Sequence, residues 1–409
     1  MDIEIRPVVE DEYPQYARRV ARAFGEHLSD EGLAAWREAA EPDRTVAAFD
    51  AGDIVGTADA WTMELTLPGL ATIPAPGVTA VGVLSTHRRR GVLTRMMADQ
   101  LDDIAARGEP LAILLASESL IYGRFGYGWA TSAAEVAIDT AYSSFTRPVE
   151  AGGRMRVVDA EAAAKLLPPV HDRIRRRQPG DVNRPPGWWH VVLADLPERR
   201  KGHSAFFFAL HESAAGEPDG FVAYRIKEAW NSELPASELL VVDLMGETPE
   251  VEAALWRFVF DVDLVATVHA LIAPGDPIRR RLAEPRRLRV DAVTDHIWVR
   301  LLDIPTALSA RAYGTDGEVV LEVTDPFRPA NDGCYLVSAA GGARRITGRD
   351  ADIALGVDDL GSAYLGGVRL STLAAAGRAH ELRPGALARA DALFAPVGTE
   401  PEPFCHSDF

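Results

Sequence analysis

The stretch "VGVLSTHRRRGVLTRMM", Val81–Met97, decides how this chain is read. An apolar strand runs into three arginines and a glycine. Leu93, Met96, Met97, Leu101 and Ile104 then recur at helical spacing, and Gly108 sits where a C-terminal cap closes the helix. "LAILLAS", from Leu111, is the next buried strand, and the short gap before it predicts a crossover within one sheet. A loop that leaves a strand and enters a helix presents unpaired backbone N–H groups, and the helix dipole adds partial positive charge there. Gly91 lets the backbone approach a ligand without a Cβ in the way, while Arg88, Arg89 and Arg90 offer charge-assisted bonds. Such a corner suits a phosphate. The competing reading is a solvated positive turn. Neither a G-x-x-x-x-G-K-[ST] loop nor a G-x-G-x-x-G follows any candidate strand, so the common nucleotide folds lack their fingerprint.

Outward from this stretch, the first block reads as mixed α/β. "IEIRPV" alternates like a strand, "EDEYPQYARRVARAFG" has helical spacing ending at Gly25, and two strands meet at Ala51-Gly52-Asp53. "SSFTRPVEAGGRM", residues 143–155, is rich in Ser, Gly and Pro and predicts a boundary near residue 146. A second block, 147–303, again mixes strands and helices but lacks the arginine–glycine loop. In the third, 304–409, "GEVVLEVTDPF", "GCYLVSAAGG" and "ADIALGVDDLGSAYLGG" read as strands and turns, "RLSTLAAAGRAHEL" as a helix, and "PVGTEPEPFCHSDF" as a Pro-rich tail.

At 409 residues, with 47% hydrophobic and 25% charged residues, two or three globular domains are expected. A formal net charge of −17 argues against nucleic acid, whose phosphates need a basic face, and favours a cationic partner. Cys334 and Cys405 have no metal-type spacing and support no disulfide framework, so no metal is expected and a reducing cytoplasm is. The N-terminus lacks the basic start and apolar run of a signal peptide, and no apolar stretch approaches a membrane span. No G-x-S-x-G elbow or H-E-x-x-H is present.

The arginine–glycine stretch resembles the coenzyme A loop of the GNAT superfamily of N-acetyltransferases, Arg/Gln-x-x-Gly-x-Gly/Ala between a splayed strand and a helix. Arg88-x-x-Gly91 matches, and Leu93 departs at the third landmark. "SESLIYGRFGYG", Ser117–Gly128, is similar to the Tyr-before-glycine-aromatic turn that follows the next strand in that superfamily. Over its whole length the chain resembles the Eis family of actinobacterial acetyltransferases, through "HRRRG", "IYGRFGYG", the Trp188-Trp189 pair and a terminal phenylalanine. The resemblance implies two tandem GNAT-like domains, the second without a coenzyme site, a C-terminal sterol-carrier-protein-like α/β domain, and a homohexamer. It implies acetyl-CoA as co-substrate and acetylation of amines, aminoglycosides among them.

By the same resemblance, Val81, Gly82 and Val83 face the pantetheine arm, while Arg89, Arg90, Gly91, Val92, Leu93 and Thr94 surround the pyrophosphate and Ser117 and Glu118 touch the cofactor. Tyr122 is expected to protonate the departing thiolate; its bland alternative is a packed core aromatic. Phe24, Glu26 and Trp36 match positions lining the acceptor pocket, with a core role the plainer reading for Trp36. The α-carboxylate of Phe409 is implied as the base, with Asp408 adding negative charge; a frayed tail is the ordinary expectation for such residues. His27 and His87 match no catalytic position, and Phe125 and Tyr127 read as packing. Other classes stay open: a protein-lysine or polyamine acetyltransferase or a regulatory interaction protein, which share the loop and Tyr122, and a lipid carrier, which rests on the last block.

Overall fold

The computed structural model describes residues 3–409. The chain forms two compact units, one built from the chain up to Thr131, Arg176–Trp188 and Asp295–Phe409, the other from Ser132–Arg175 and Trp189–Thr294. The first unit carries a seven-stranded sheet of β1 (Glu4–Arg6), β2 (Val46–Asp50), β3 (Asp53–Trp61), β4 (Gly77–Val83), β5 (Leu111–Leu115), β6 (Gly128–Trp129) and β7 (Ile297–Leu301), in the spatial order β1-β2-β3-β4-β5-β7-β6. Only β4 and β5 run parallel; the other neighbours are antiparallel. Sheet membership crosses the boundaries expected near residues 146 and 303. β7 follows the second block in sequence but inserts between β5 and β6, while Ser132–Asp139 joins the sheet of the second unit.

Helix α1 (Tyr13–Ala23) and helix α3 (Val92–Ala106), with α2 (Asp30–Ala39) between them in sequence, cover opposite faces of this sheet. Alternation along β2 and β3 assigns the sides: Ala47, Phe49 and Ile54 pack with α1, whereas Val46, Ala48 and Val55 pack with Val92 and Met96 of α3. Burial on both faces explains why these strands are nearly continuous apolar runs. The expected apolar stripe of α3 is present, with Met96, Met97, Leu101 and Ile104 fully buried and Leu93 half-buried. Each such side chain contributes roughly 1.5–3 kcal/mol by leaving water. Gln100 shares that face because its Nε2 donates to the Asp59 carbonyl at 3.0 Å.

The first unit also carries the short helix α4 (Ser119–Tyr122), and the second unit holds another seven-stranded sheet, whose parallel pair Ser237–Gly246 and Val265–Ile272 is joined by helix α5 (Pro249–Phe260). The third block forms a five-stranded sheet around Glu318–Thr324. Two readings of this block change. Val357–Ala363 is a helix, α6, rather than a turn; it is buried nearly all round and so shows no amphipathic period. "RLSTLAAAGRAHEL" splits into a helix, Leu370–Ala375, and a strand, Ala379–Glu381, because Gly377 turns left-handed at φ +74° and the Arg378 N–H closes back onto the Leu373 carbonyl. Among the described residues no helix is long and apolar enough to cross a membrane, and no cluster of His, Cys, Asp or Glu has a metal-holding arrangement.

Candidate active site

The parallel strands β4 and β5 pair only at Gly77 with Ile113 and Val78 with Leu114, then separate. Val81, Gly82 and Val83, all half-buried, therefore lie on a strand whose edge toward β5 is not taken up in the ladder. The separation begins at a distortion: Ala80 adopts φ +54°, the register with β3 shifts between Thr57 and Asp59, and the Thr57 hydroxyl donates to the Ala80 carbonyl at 2.9 Å. Left-handed backbone at a non-glycine residue costs on the order of 1–3 kcal/mol and persists where packing over-determines it; Ala80 is buried against α1.

Beyond β4 the arginine loop turns back. The Arg88 Nε donates to the Val83 carbonyl, and His87 Nε2 lies 3.0 Å from Asp50 Oδ2, which assigns His87 to the loop's scaffold. Arg89 and Gly91 are both left-handed, at φ +60° and +76°, and open space surrounds the position of a Cβ on Gly91. Conformation, not crowding by the protein itself, demands glycine there. Helix α3 then starts with neither a side-chain cap nor an acidic residue in its first turn. Arg89, Arg90 and Thr94 are exposed around it, Val92 is buried, and Leu93 packs on the cluster that includes Tyr122. An uncapped N-terminus ringed by arginines fits a diphosphate. The corresponding corner of the second unit does not: Thr248 caps α5 by accepting from the Val251 N–H, Pro249 supplies no donor, and Glu250 and Glu252 fill the first turn. Those carboxylates repel an anion where the first unit attracts one.

On the other side of the opening, Ser117 and Glu118 stand exposed after β5, and Tyr122 closes α4 at 4% exposure. Burial pushes its hydroxyl up to about 12, against the opposing effect of the Ser117 hydroxyl and with Glu118 adding to the rise. Tyr122 thus stays protonated across the physiological range. Tyr127 meets it edge-on at 6.0 Å between ring centroids and is fully buried, matching its packing role.

The acceptor-side residues divide. Phe24 and Glu26 are exposed just past α1, whose last residue, Ala23, packs on Gly82. Trp36 is half-buried on α2 among Tyr13, Tyr16 and Val20, and its carbonyl accepts from the Tyr13 hydroxyl at 3.2 Å. It packs against α1, as the plainer reading has it, while remaining half-buried.

The Pro-rich tail has no regular structure, yet it is not frayed. Pro403, Phe404, Cys405 and Ser407 are buried. Gln178–Arg184, strapped to Glu64–Thr66 by backbone bonds, holds it: the Phe404 N–H donates to the Pro179 carbonyl at 2.9 Å, and the His406 N–H to Asp181 at 3.1 Å. The His406 ring lies 2.8 Å from Asp181, and Arg184 donates to the Ser407 hydroxyl at 2.8 Å and the His406 carbonyl at 2.7 Å. His296 stacks on Phe404 and bonds the Cys405 carbonyl. The Phe409 ring ends against Gly77: a Cβ there would lie 2.8 Å from it and 2.7 Å from the Met63 sulfur. The last residue therefore reaches the short ladder that joins β4 to β5, while Asp408 is exposed. The sequence points to Phe409 but not to the residues that surround and hold the tail, Gly77, Met63, Asp181, Arg184 and His296.

Three segments of the chain match known domain families. Residues 4–130 and 180–301 each match an acetyltransferase (GNAT) domain, and residues 304–406 match a sterol carrier protein domain. An uncharacterized N-acetyltransferase of Streptomyces avermitilis is 40% identical, covering 96% of this chain and 97% of its own. The N-acetyltransferase Eis of Mycobacterium tuberculosis is 34% identical, with 97% of both chains covered. Among solved structures, Eis1 from Mycobacterium abscessus superposes with a TM-score of 0.88 at 35% identity, covering 99% of this chain and all of the other.

Proposed function

The chain belongs to the Eis family of GNAT N-acetyltransferases, and from that premise we propose that it transfers acetyl from acetyl-CoA to amines of aminoglycosides, at more than one position, by direct attack on the thioester. The observation that carries this reading is the uncapped start of α3 at Gly91 beside the unpaired edge of β4. Val81, Gly82 and Val83 offer backbone groups to the pantetheine arm; Arg89, Arg90 and the first turn Val92, Leu93, Thr94 take the pyrophosphate; Ser117 and Glu118 line the opposite edge. The acceptor nitrogen attacks the carbonyl carbon, the carbon–sulfur bond breaks, Tyr122 gives its proton to the sulfur, and the nitrogen's proton passes to the Phe409 carboxylate, directly or through water. Phe24, Glu26, Trp36 and Asp408 border the acceptor, and a net charge of −17 favours capture of a polycation. Resemblance likewise supports a homohexamer in the cytoplasm.

Mass spectrometry of products from acetyl-CoA with aminoglycosides, other polyamines and lysine peptides, run side by side, tests the acceptor class. Multiply acetylated aminoglycoside is expected; modification of peptides alone would replace this acceptor with protein lysine.

The coenzyme corner has its own test. Arg89→Ala should weaken acetyl-CoA binding by about 1–3 kcal/mol, with the difference shrinking as salt rises, since a charged hydrogen bond is lost. Gly91→Val should weaken it further, because a β-branched side chain resists the left-handed backbone there. Calorimetric titration at two ionic strengths measures both, and unchanged affinity in the two folded variants would move the coenzyme elsewhere.

A further inference from the structure

The turn that carries Tyr122 is built against residues of the sterol-carrier-like domain. The backbone ties the turn together, with the Gly126 N–H donating to Gly123 at 2.9 Å and the Tyr127 N–H to the Tyr122 carbonyl at 3.3 Å. Gly126 is left-handed at φ +83°, and a Cβ on it would lie 2.5 Å from Arg300 Nη1 and 2.9 Å from Val357 of α6. A Cβ on Gly128 would collide with the Asp358 carbonyl, and one on Gly361 would lie 2.4 Å from the Val299 carbonyl. Phe327 meets Phe125 edge-on at 5.0 Å. Two glycines of the turn are thus small because the third domain's backbone and the Arg300 side chain occupy the space beside them.

Arg300 itself is fully buried on β7 and pairs at 2.8 Å with Asp325, also fully buried, from the third domain. Asp325 is fixed in turn by the Arg328 N–H at 3.0 Å and Asn331 Nδ2 at 2.9 Å. A buried ion pair is poor evidence for stability, since apolar residues of equal volume often do as well, but it holds one geometry. Here the fixed group is the guanidinium in contact with Gly126.

We propose that Arg300, locked by Asp325, is a positioning residue for Tyr122, so that the sterol-carrier-like domain serves acetyl transfer by bracing the turn that delivers the proton. This rests on Tyr122 as the acid. The test is a double-mutant cycle in the full chain: Asp325→Asn and Phe327→Ala, each with Tyr122 and with Tyr122→Phe, read as kcat and as KM for acetyl-CoA. Phe327 is half-buried and serves as the milder variant where Asp325→Asn destabilises the fold. With Tyr122 present, kcat should fall on the order of 10-fold, as expected for a sub-ångström displacement of a reacting group, with KM unchanged. Combined with Tyr122→Phe, neither substitution should slow turnover further, because both act through the same hydroxyl. An equal fall in the two backgrounds, or full activity of both variants, would overturn the bracing role. Full activity of Tyr122→Phe alone would overturn the acid assignment instead.

Discussion

Removing Phe409, or extending the chain beyond it with a tag, should abolish most acetyl transfer while leaving acetyl-CoA binding intact. The tail is held by Asp181, Arg184 and His296 as far as Gly77, where the Phe409 ring packs, so a change of even one residue displaces whatever the terminal carboxylate does there. The loss should be on the order of 10²-fold or more if that group moves the amine's proton. Its chemistry sets a condition. An unperturbed α-carboxyl titrates near 3.3–3.7, roughly, and negative surroundings raise the amine's own pKa, so the transfer is uphill unless water relays the proton or burial weakens the acid. Position therefore matters more than side chain. A useful control leaves the terminus intact: Gly77→Ala keeps an ordinary backbone but pushes a methyl into Phe409 and Met63, and it should lower turnover in the same sense. Initial rates and acetyl-CoA titrations on each variant decide the matter. An extended chain with full activity would return the base to Glu26 or to solvent.

Tyr122→Phe should retain acetyl-CoA affinity yet turn over on the order of 10²-fold more slowly if, as proposed, Tyr122 protonates the departing thiolate. Burial first, and Glu118 after the opposing Ser117, keep the hydroxyl protonated up to about pH 12. Since the pKa is raised, the donor form persists as pH rises through about 10, where free tyrosine ionises, and wild-type turnover should show no falling limb there from this group. A pH profile for both proteins checks this. An inflection near 10 in the wild type that disappears in the variant would mean that Tyr122 is less shielded than its packing with Tyr127 implies.

What the sequence made legible were features whose causes are local. The left-handed glycine, the uncapped helix start and the stripe on α3 depend on residues within two turns of one another, so "HRRRGVLTRMM" announces them. The anchoring of the tail could not be read, because Arg184 and Ser407 are 223 residues apart and nothing in "QPGDVNR" distinguishes a strap from an ordinary loop. Trp36 shows the same limit at short range: helical spacing places it on α2 but does not say whether a ring faces the core or a pocket. Helix α6 is not legible in the sequence, because burial nearly all round erases periodicity. "HIWVRLL" was legible as a strand, while its partners were not, since an apolar run fits any central position in either sheet.

That strand has a consequence for how the chain is made. β7 fills the place between β5 and β6, and it leaves the ribosome only after the intervening second unit has been synthesised. At roughly 5–20 residues per second, β5 waits on the order of ten seconds or more for its neighbour. During that interval its hydrogen-bonding edge is open, and a nascent chain with such an edge invites chaperones or wrong partners. The second unit, whose strands all emerge before β7, can complete itself first. Synthesis thus begins with the unit whose sheet can be completed only after that of the second.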